Sequence, residues 1–269
     1  MRTLSLSPLT VLPCSPLEQV DAAVDAGFDA IGLRLFPVMA TDIDVMSDVK
    51  VQRAIERRIA ATKLQVLDIE VVRITPQMNV AAIAPALEFA GGLGARWLAV
   101  TSAAVYDYRP EEEPAVVRRL GELCEVASRY SMGVMLEFMA FRGIGTLEAA
   151  ARVVAAVRHA NLGITLDALH FYRSGGTARA LACVDPPRLA CVQLCDAPRT
   201  APLNLPSEAR YGRLYPGEGE LPLKDLVSAL PRDLPVSVEV PSRSRAHLSA
   251  SERAIESARW TRQLLATID

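Results

Sequence analysis

Roughly every 30 residues the chain repeats one pattern: a short apolar strand-like run, a loop, then an amphipathic helical run. A strand–helix repeat of this kind builds a parallel sheet covered by helices. Strands are expected at 4–7, 30–35, 65–74, 97–102, 133–137, 163–167, 189–193 and 236–239. Helices are expected at 16–26, 48–61, 80–91, 114–130, 147–158, 177–183 and 223–230, with a last one opening at Ser249. Gly27 and Gly94 stand just before strands, where a left-handed residue ends the preceding helix. Ser249 and Glu252 have the spacing of a capping box, and Ile255, Ala258, Leu264 and Leu265 then share one helix face. Eight such pairs predict an α/β fold, a (β/α)8 TIM barrel formed by 1–269 as a single domain. An open doubly wound sheet satisfies the same period; it differs only in strand order, which the chain does not display.

Composition narrows the function classes. An apolar fraction of 51% supplies a large core, and a formal net charge of −2 gives nucleic acid no electrostatic handle. Lys occurs only at 50, 63 and 224, so almost every cation is Arg. The five cysteines, Cys14, Cys124, Cys183, Cys191 and Cys195, are odd in number and form no C-x-x-C. A disulfide framework or zinc ribbon is not expected, and a reducing, cytoplasmic setting fits. No apolar run reaches spanning length, so no membrane partner is expected. The sequence leaves a homo-oligomer open.

The chemistry concentrates at strand ends. Val134-Met-Leu-Glu137, Ile164-Thr-Leu-Asp167 and Val236-Ser-Val-Glu239 end on acids, and Leu189-Ala-Cys-Val-Gln193 ends on an amide. Two residues before each stand Met135, Thr165, Ser237 and Cys191, which are small, polar or flexible; the alternate positions are large and apolar. Glu137, Asp167, Gln193 and Glu239 are therefore expected to face the barrel axis at its C-terminal mouth. Three carboxylates that close repel one another, and a divalent cation resolves the conflict. Four oxygen ligands without a thiolate favour Mg²⁺ or Mn²⁺ over Zn²⁺.

His170 lies three residues after Asp167, above the expected mouth, and is assigned to substrate contact or proton transfer. Arg210 and Arg213 sit in the long connection after the seventh strand, where a guanidinium could fork onto an anionic or polyhydroxyl substrate. Arg34, Glu70 and Arg73 are further mouth candidates, balanced against simple ion pairing. Gly217 and Gly219 could bring backbone near the mouth.

These residues resemble the xylose isomerase-like TIM-barrel superfamily, often labelled sugar phosphate isomerase/epimerase. The resemblance is strongest in Leu136-Glu137, Leu166-Asp-Ala-Leu-His170, Val192-Gln-Leu-Cys-Asp-Ala-Pro198, Pro216-Gly-Glu-Gly219 and Val238-Glu239. It implies one metal held by Glu137, Asp167, Gln193 and Glu239, with His170 near the substrate. Ketose epimerases of that family usually carry His where Gln193 stands; Gln is similar to the hydroxypyruvate isomerase-like and 3-dehydroshikimate dehydratase-like branches. Phe138-Met139-Ala140 matches neither the Pro-x-Asn of many isomerases nor the His of some dehydratases. The histidine-rich endonuclease branch is disfavoured by a total of 3 His. The expectation is an isomerase or epimerase of a small polyhydroxylated substrate, in which Glu137 and Glu239 exchange a proton α to a carbonyl and the metal stabilises the enediolate. A dehydratase is the alternative, and a non-catalytic sugar-binding protein is a third.

Overall fold

The computed structural model describes residues 2–268. Its strands are β1 (Leu4–Leu6), β2 (Ala30–Arg34), β3 (Gln65–Ile74), β4 (Trp97–Ser102), β5 (Gly133–Glu137), β6 (Leu162–Asp167), β7 (Leu189–Leu194) and β8 (Val236–Val238). Each pairs in parallel with its sequence neighbours, and β1 closes onto β8. The order never reverses, which rules out the doubly wound sheet, and closure leaves no strand edge free.

The helices are α1 (Pro8–Val11), α2 (Pro16–Asp25), α3 (Val49–Ala60), α4 (Ala84–Gly92), α5 (Glu113–Ser128), α6 (Leu147–Val157), α7 (Ala168–Arg173), α8 (Leu205–Tyr211), α9 (Leu223–Ser228) and α10 (Ala250–Leu265). Their starts are chemically marked. Ser15 with Glu18 and Ser249 with Glu252 form reciprocal capping boxes on α2 and α10, each satisfying free amides of the first turn. Gly27 (φ +67°) and Gly94 (φ +75°) take the left-handed conformation that returns the chain to β2 and β4. No helix among the described residues is long and apolar enough to cross a membrane.

Two apolar layers hold the barrel. Outward-facing strand residues such as Val134, Leu136, Ile164, Leu166, Val192, Val236 and Val238 pack under the helices in one continuous core. Each buried Leu or Ile there contributes about 2–3 kcal/mol by leaving water. Inside the barrel, Ala30, Leu67, Ala99, Met135, Ala190 and Cys191 form a smaller cluster beneath the mouth. The expected parity thus holds: Met135, Thr165, Cys191 and Ser237 are all interior and buried.

Four local expectations change. The helix after β6 is α7, which begins directly on Asp167; 178–183 is only a 3₁₀ turn. The Asp167 carboxylate accepts the His170 backbone N–H at 2.9 Å and so starts the helix at once. The long connection after β7 is not all loop, since Asn204 caps α8 within it. Ile255 is exposed, and the buried face of α10 runs instead through Ala254, Ala258, Thr261 and Leu264. Finally, β8 stops at Val238, although the Glu239 N–H still donates to Leu194 O at 3.1 Å and keeps its side chain over the axis.

Candidate functional site

A cavity of about 420 Å³ opens at the C-terminal mouth. Glu137, Gln193, Glu239, His170, Arg34, Glu70, Arg210 and Arg213 all line it, and Asp167 lies beneath Arg213. Register explains the convergence. Asp167 pairs with Gln193, Gln193 with Ser237, and Glu137 with Thr165, so neighbouring strands deliver same-parity side chains to one level.

Asp167 is fully buried and makes two kinds of bond. One oxygen caps α7 through His170 N–H, and the other meets the Arg213 guanidinium at 2.5 Å. The Asp-x-x-His spacing is therefore a capping geometry that swings the imidazole back over the acid. His170 Nε2 stands 3.9 Å from Glu137 Oε1, with Phe141 edge-on to its ring at 5.3 Å. Glu239 accepts Ser7 Oγ–H at 3.0 Å and Gln193 Nε2–H at 3.4 Å, and pairs with Arg213 at 3.0 Å. Arg213 is thus not a mouth-covering loop residue. It is 2% exposed and bridges Asp167 and Glu239 at the cavity wall, with its Nε–H donated to Ala209 O.

Electrostatics follow from burial. Burial raises the Glu137 carboxyl well above the ordinary value, and the charges of Glu239 and Asp167 push it the same way. Glu239 is lifted by burial to about 7 despite Arg213. Burial also opposes ionisation of Asp167, but Arg213, His170 and the backbone bond outweigh it and its carboxyl stays below the usual value. His170 is pushed down by burial to about 4 and is neutral at physiological pH. On the barrel floor, burial and then Glu70 hold Asp68 well above the carboxylate range.

A metal fits this donor set. Glu137 Oε1 and Gln193 Oε1 are buried oxygens without a hydrogen-bond partner. Such atoms cost free energy unless something satisfies them. Ligand atoms of Glu137, Asp167 and His170 also lie within 4.8 Å of one another. Three acids here face one guanidinium, so the site still lacks positive charge. A metal held by Glu137 and Glu239 would displace their protons, so its affinity, with Mn²⁺ as the probe, is expected to rise between pH 6 and pH 8, by up to about tenfold per pH unit for each proton released. Calorimetric titration across that range checks it; a flat profile would show that neither carboxyl takes part.

Arg34 and Glu70 line the cavity but bind each other at 2.5 Å, and Arg34 also reaches Asp42 at 3.3 Å. Asp42 accepts the backbone N–H groups of Val38 and Met39, so this pair anchors the loop that walls one side. Gly217 and Gly219 turn away from the cavity: Asp196 accepts the N–H groups of Gly217 and Leu221 at 2.9 and 3.0 Å and clamps the loop. Sequence reasoning missed Ser7, Asp42, Phe141 and Arg142. Ser7 closes the strand expected at 4–7, a strand-end position passed over because it carries no charge; Asp42, Phe141 and Arg142 lie in loops and carry no periodic signal.

Residues 20–264 match a family described as xylose isomerase-like TIM barrel. An inosose isomerase from Halalkalibacterium halodurans is 30% identical over 57% of this chain and 55% of its own length. A 3-dehydroshikimate dehydratase from Pseudomonas aeruginosa is 32% identical over 40% of this chain and 17% of its length. The chain thus spans about half of the first relative and a small part of the second. Among solved structures, IolI protein with a bound zinc atom superposes with TM-score 0.87 at 19% identity, covering 99% of both chains. The probable 3-dehydroshikimate dehydratase AsbF from Bacillus anthracis gives 0.77 at 17% identity, covering 97% of this chain and 99% of that one. At these identities both show the fold alone.

Proposed function

The chain belongs to the xylose isomerase-like TIM barrel family, and from that premise we propose that it is a divalent-metal-dependent isomerase or epimerase of a small polyhydroxylated substrate. The observation that carries this reading is the pair of partnerless buried oxygens, Glu137 Oε1 and Gln193 Oε1, on strand ends beside Asp167 and Glu239. We favour Mg²⁺ or Mn²⁺ over Zn²⁺ because oxygen donors predominate.

A divalent ion bound there would polarise a substrate carbonyl and favour charge developing on its oxygen. Glu239, with its carboxyl lifted to about 7, is poised to take the α-proton near neutral pH. Glu137, whose carboxyl burial raises above the ordinary value, is placed to exchange a proton from the other side. Ser7 and Gln193 hold Glu239 in one orientation through its Oε1. His170 is a neutral imidazole beside Glu137, suited to a substrate hydroxyl. Met139 and Phe141 give the cavity an apolar wall. Gln193, as an uncharged donor, leaves more of a cation's charge for the substrate.

The similarity to 3-dehydroshikimate dehydratase supports a second reading, in which the same deprotonation is followed by loss of a β-hydroxyl as water. One experiment separates the readings. The metal-loaded protein is incubated in D₂O with ketoses, aldoses, hydroxypyruvate, inosose-type ketones and 3-dehydroshikimate. Deuterium at the α-carbon is expected. Water loss, seen as a new conjugated absorbance, would move the assignment to the dehydratase. Hydrolysis of a phosphate or glycosidic bond with no α-exchange in any substrate would sink both.

A further inference from the structure

Five arginines line the cavity: Arg34, Arg73, Arg142, Arg210 and Arg213. Two of them are neutralised within the protein, Arg34 by Glu70 and Asp42, and Arg213 by Asp167 and Glu239. Arg73, Arg142 and Arg210 have no carboxylate within ion-pair distance among the described residues. We propose that these three form an oxyanion subsite at the rim, so that the substrate is a hydroxylated carbon skeleton carrying a carboxylate or a phosphate at the end facing the rim.

An exposed arginine on its own is usually a solvated charge. Three features set this group apart. First, its members come from separate, anchored elements. Arg73 lies in β3 opposite Thr101 of β4. Arg142 is held by a bridge to Ala104 and by its N–H to Met139 O at 2.7 Å. Arg210 lies in α8, which the buried Arg173–Glu208 pair fastens at 2.6 Å. Second, the Nε–H of Arg142 is buried without a partner, an unmet donor in a cavity wall. Third, burial and then the like charges of Arg73 and Arg210 press the Arg142 guanidinium downward, so the cations stand close enough to repel. A shared anion removes that repulsion and supplies the missing acceptor, and guanidinium forks match carboxylate and phosphate oxygens. Adding a divalent ion below makes the cavity still more positive, which again favours an anionic ligand.

The inference rests on reading this cavity as the substrate site, yet its test needs neither metal nor turnover. Binding of ribitol, ribonate and ribitol 5-phosphate to the metal-free protein is measured by calorimetry at low ionic strength. At least one charged probe should bind about tenfold or more tighter than ribitol, as expected for charge-assisted bonds. Arg142→Gln should remove most of that preference. Arg73→Gln/Arg142→Gln/Arg210→Gln should remove all of it, together with its weakening by salt. Unchanged thermal melting of the variants shows that they remain folded. Which charged probe binds tighter decides between carboxylate and phosphate. Charged probes no tighter than ribitol, or a preference that survives in the triple variant, overturns the subsite. If the preference appears but no substrate exchanges its α-proton, the reaction proposed above fails and the subsite stands.

Discussion

Glu137→Gln is expected to slow α-proton exchange by at least about a thousandfold, since one proton-transfer group alone supplies a factor of roughly 10²–10⁴ and an anionic metal ligand is lost with it. The fold should barely notice. Glu137 Oε1 has no partner to lose, and burial already disfavours its charged form, so the nearly isosteric amide removes no buried contact. Melting temperature and metal-free circular dichroism should therefore match wild type while metal affinity and exchange collapse together. That combination is diagnostic, because a purely structural strand-end acid would give the opposite pattern. Exchange within tenfold of wild type, measured in D₂O on the substrate the protein turns over, would remove Glu137 from the mechanism.

Arg213→Ala is expected to do the reverse, striking stability first. The substitution leaves Asp167 and Glu239 buried without their cation. Removing one partner of a buried ion pair typically costs about 3–5 kcal/mol. For a chain of this size that is a fall in melting temperature of roughly 6–20 °C. Mn²⁺ should restore part of the loss, because it supplies positive charge to the same carboxylates and stabilises with the logarithm of its concentration over Kd. Arg213→Lys should recover less than the charge alone suggests, since one ammonium cannot span Asp167, Glu239 and Ala209 O together. Thermal melts with and without Mn²⁺ test this. An unchanged melting temperature in the metal-free alanine variant would mean that Arg213 does not compensate the acids.

The two substitutions separate the roles that electrostatics plays at this mouth. Asp167 caps α7 and pairs with Arg213, and its low carboxyl value reflects both. Glu137 and Glu239 are held upward by burial, the condition under which a carboxyl exchanges protons near neutral pH. The same strand-end chemistry thus yields one acid held below the ordinary range and two held above it, and their surroundings decide which is which.

Much of this was legible in the sequence. Strand ends at Glu137 and Asp167, the interior parity of Met135 and Cys191, and the capping box at Ser249 all depend on spacing within a few residues, and local spacing is what hydrophobic alternation and cap chemistry report. The repeat of strand and helix likewise set a parallel sheet under helices, while the unreversed strand order that closes it into a barrel is a property of the structure. Other features needed the closed structure. Arg213 reads in sequence as a solvated loop cation, yet it is buried in the cavity wall because its partner Asp167, 46 positions away, meets it there. Arg34 and Glu70 spend their polar atoms on each other, while Arg73, Arg142 and Arg210 are left without acids. The sequence alone determined which strand-end side chains arrive at the mouth, since direction along a strand is a local property. Only the tertiary structure decided which charges are neutralised, because ion pairing depends on distances of a few ångströms between residues that barrel closure brings together.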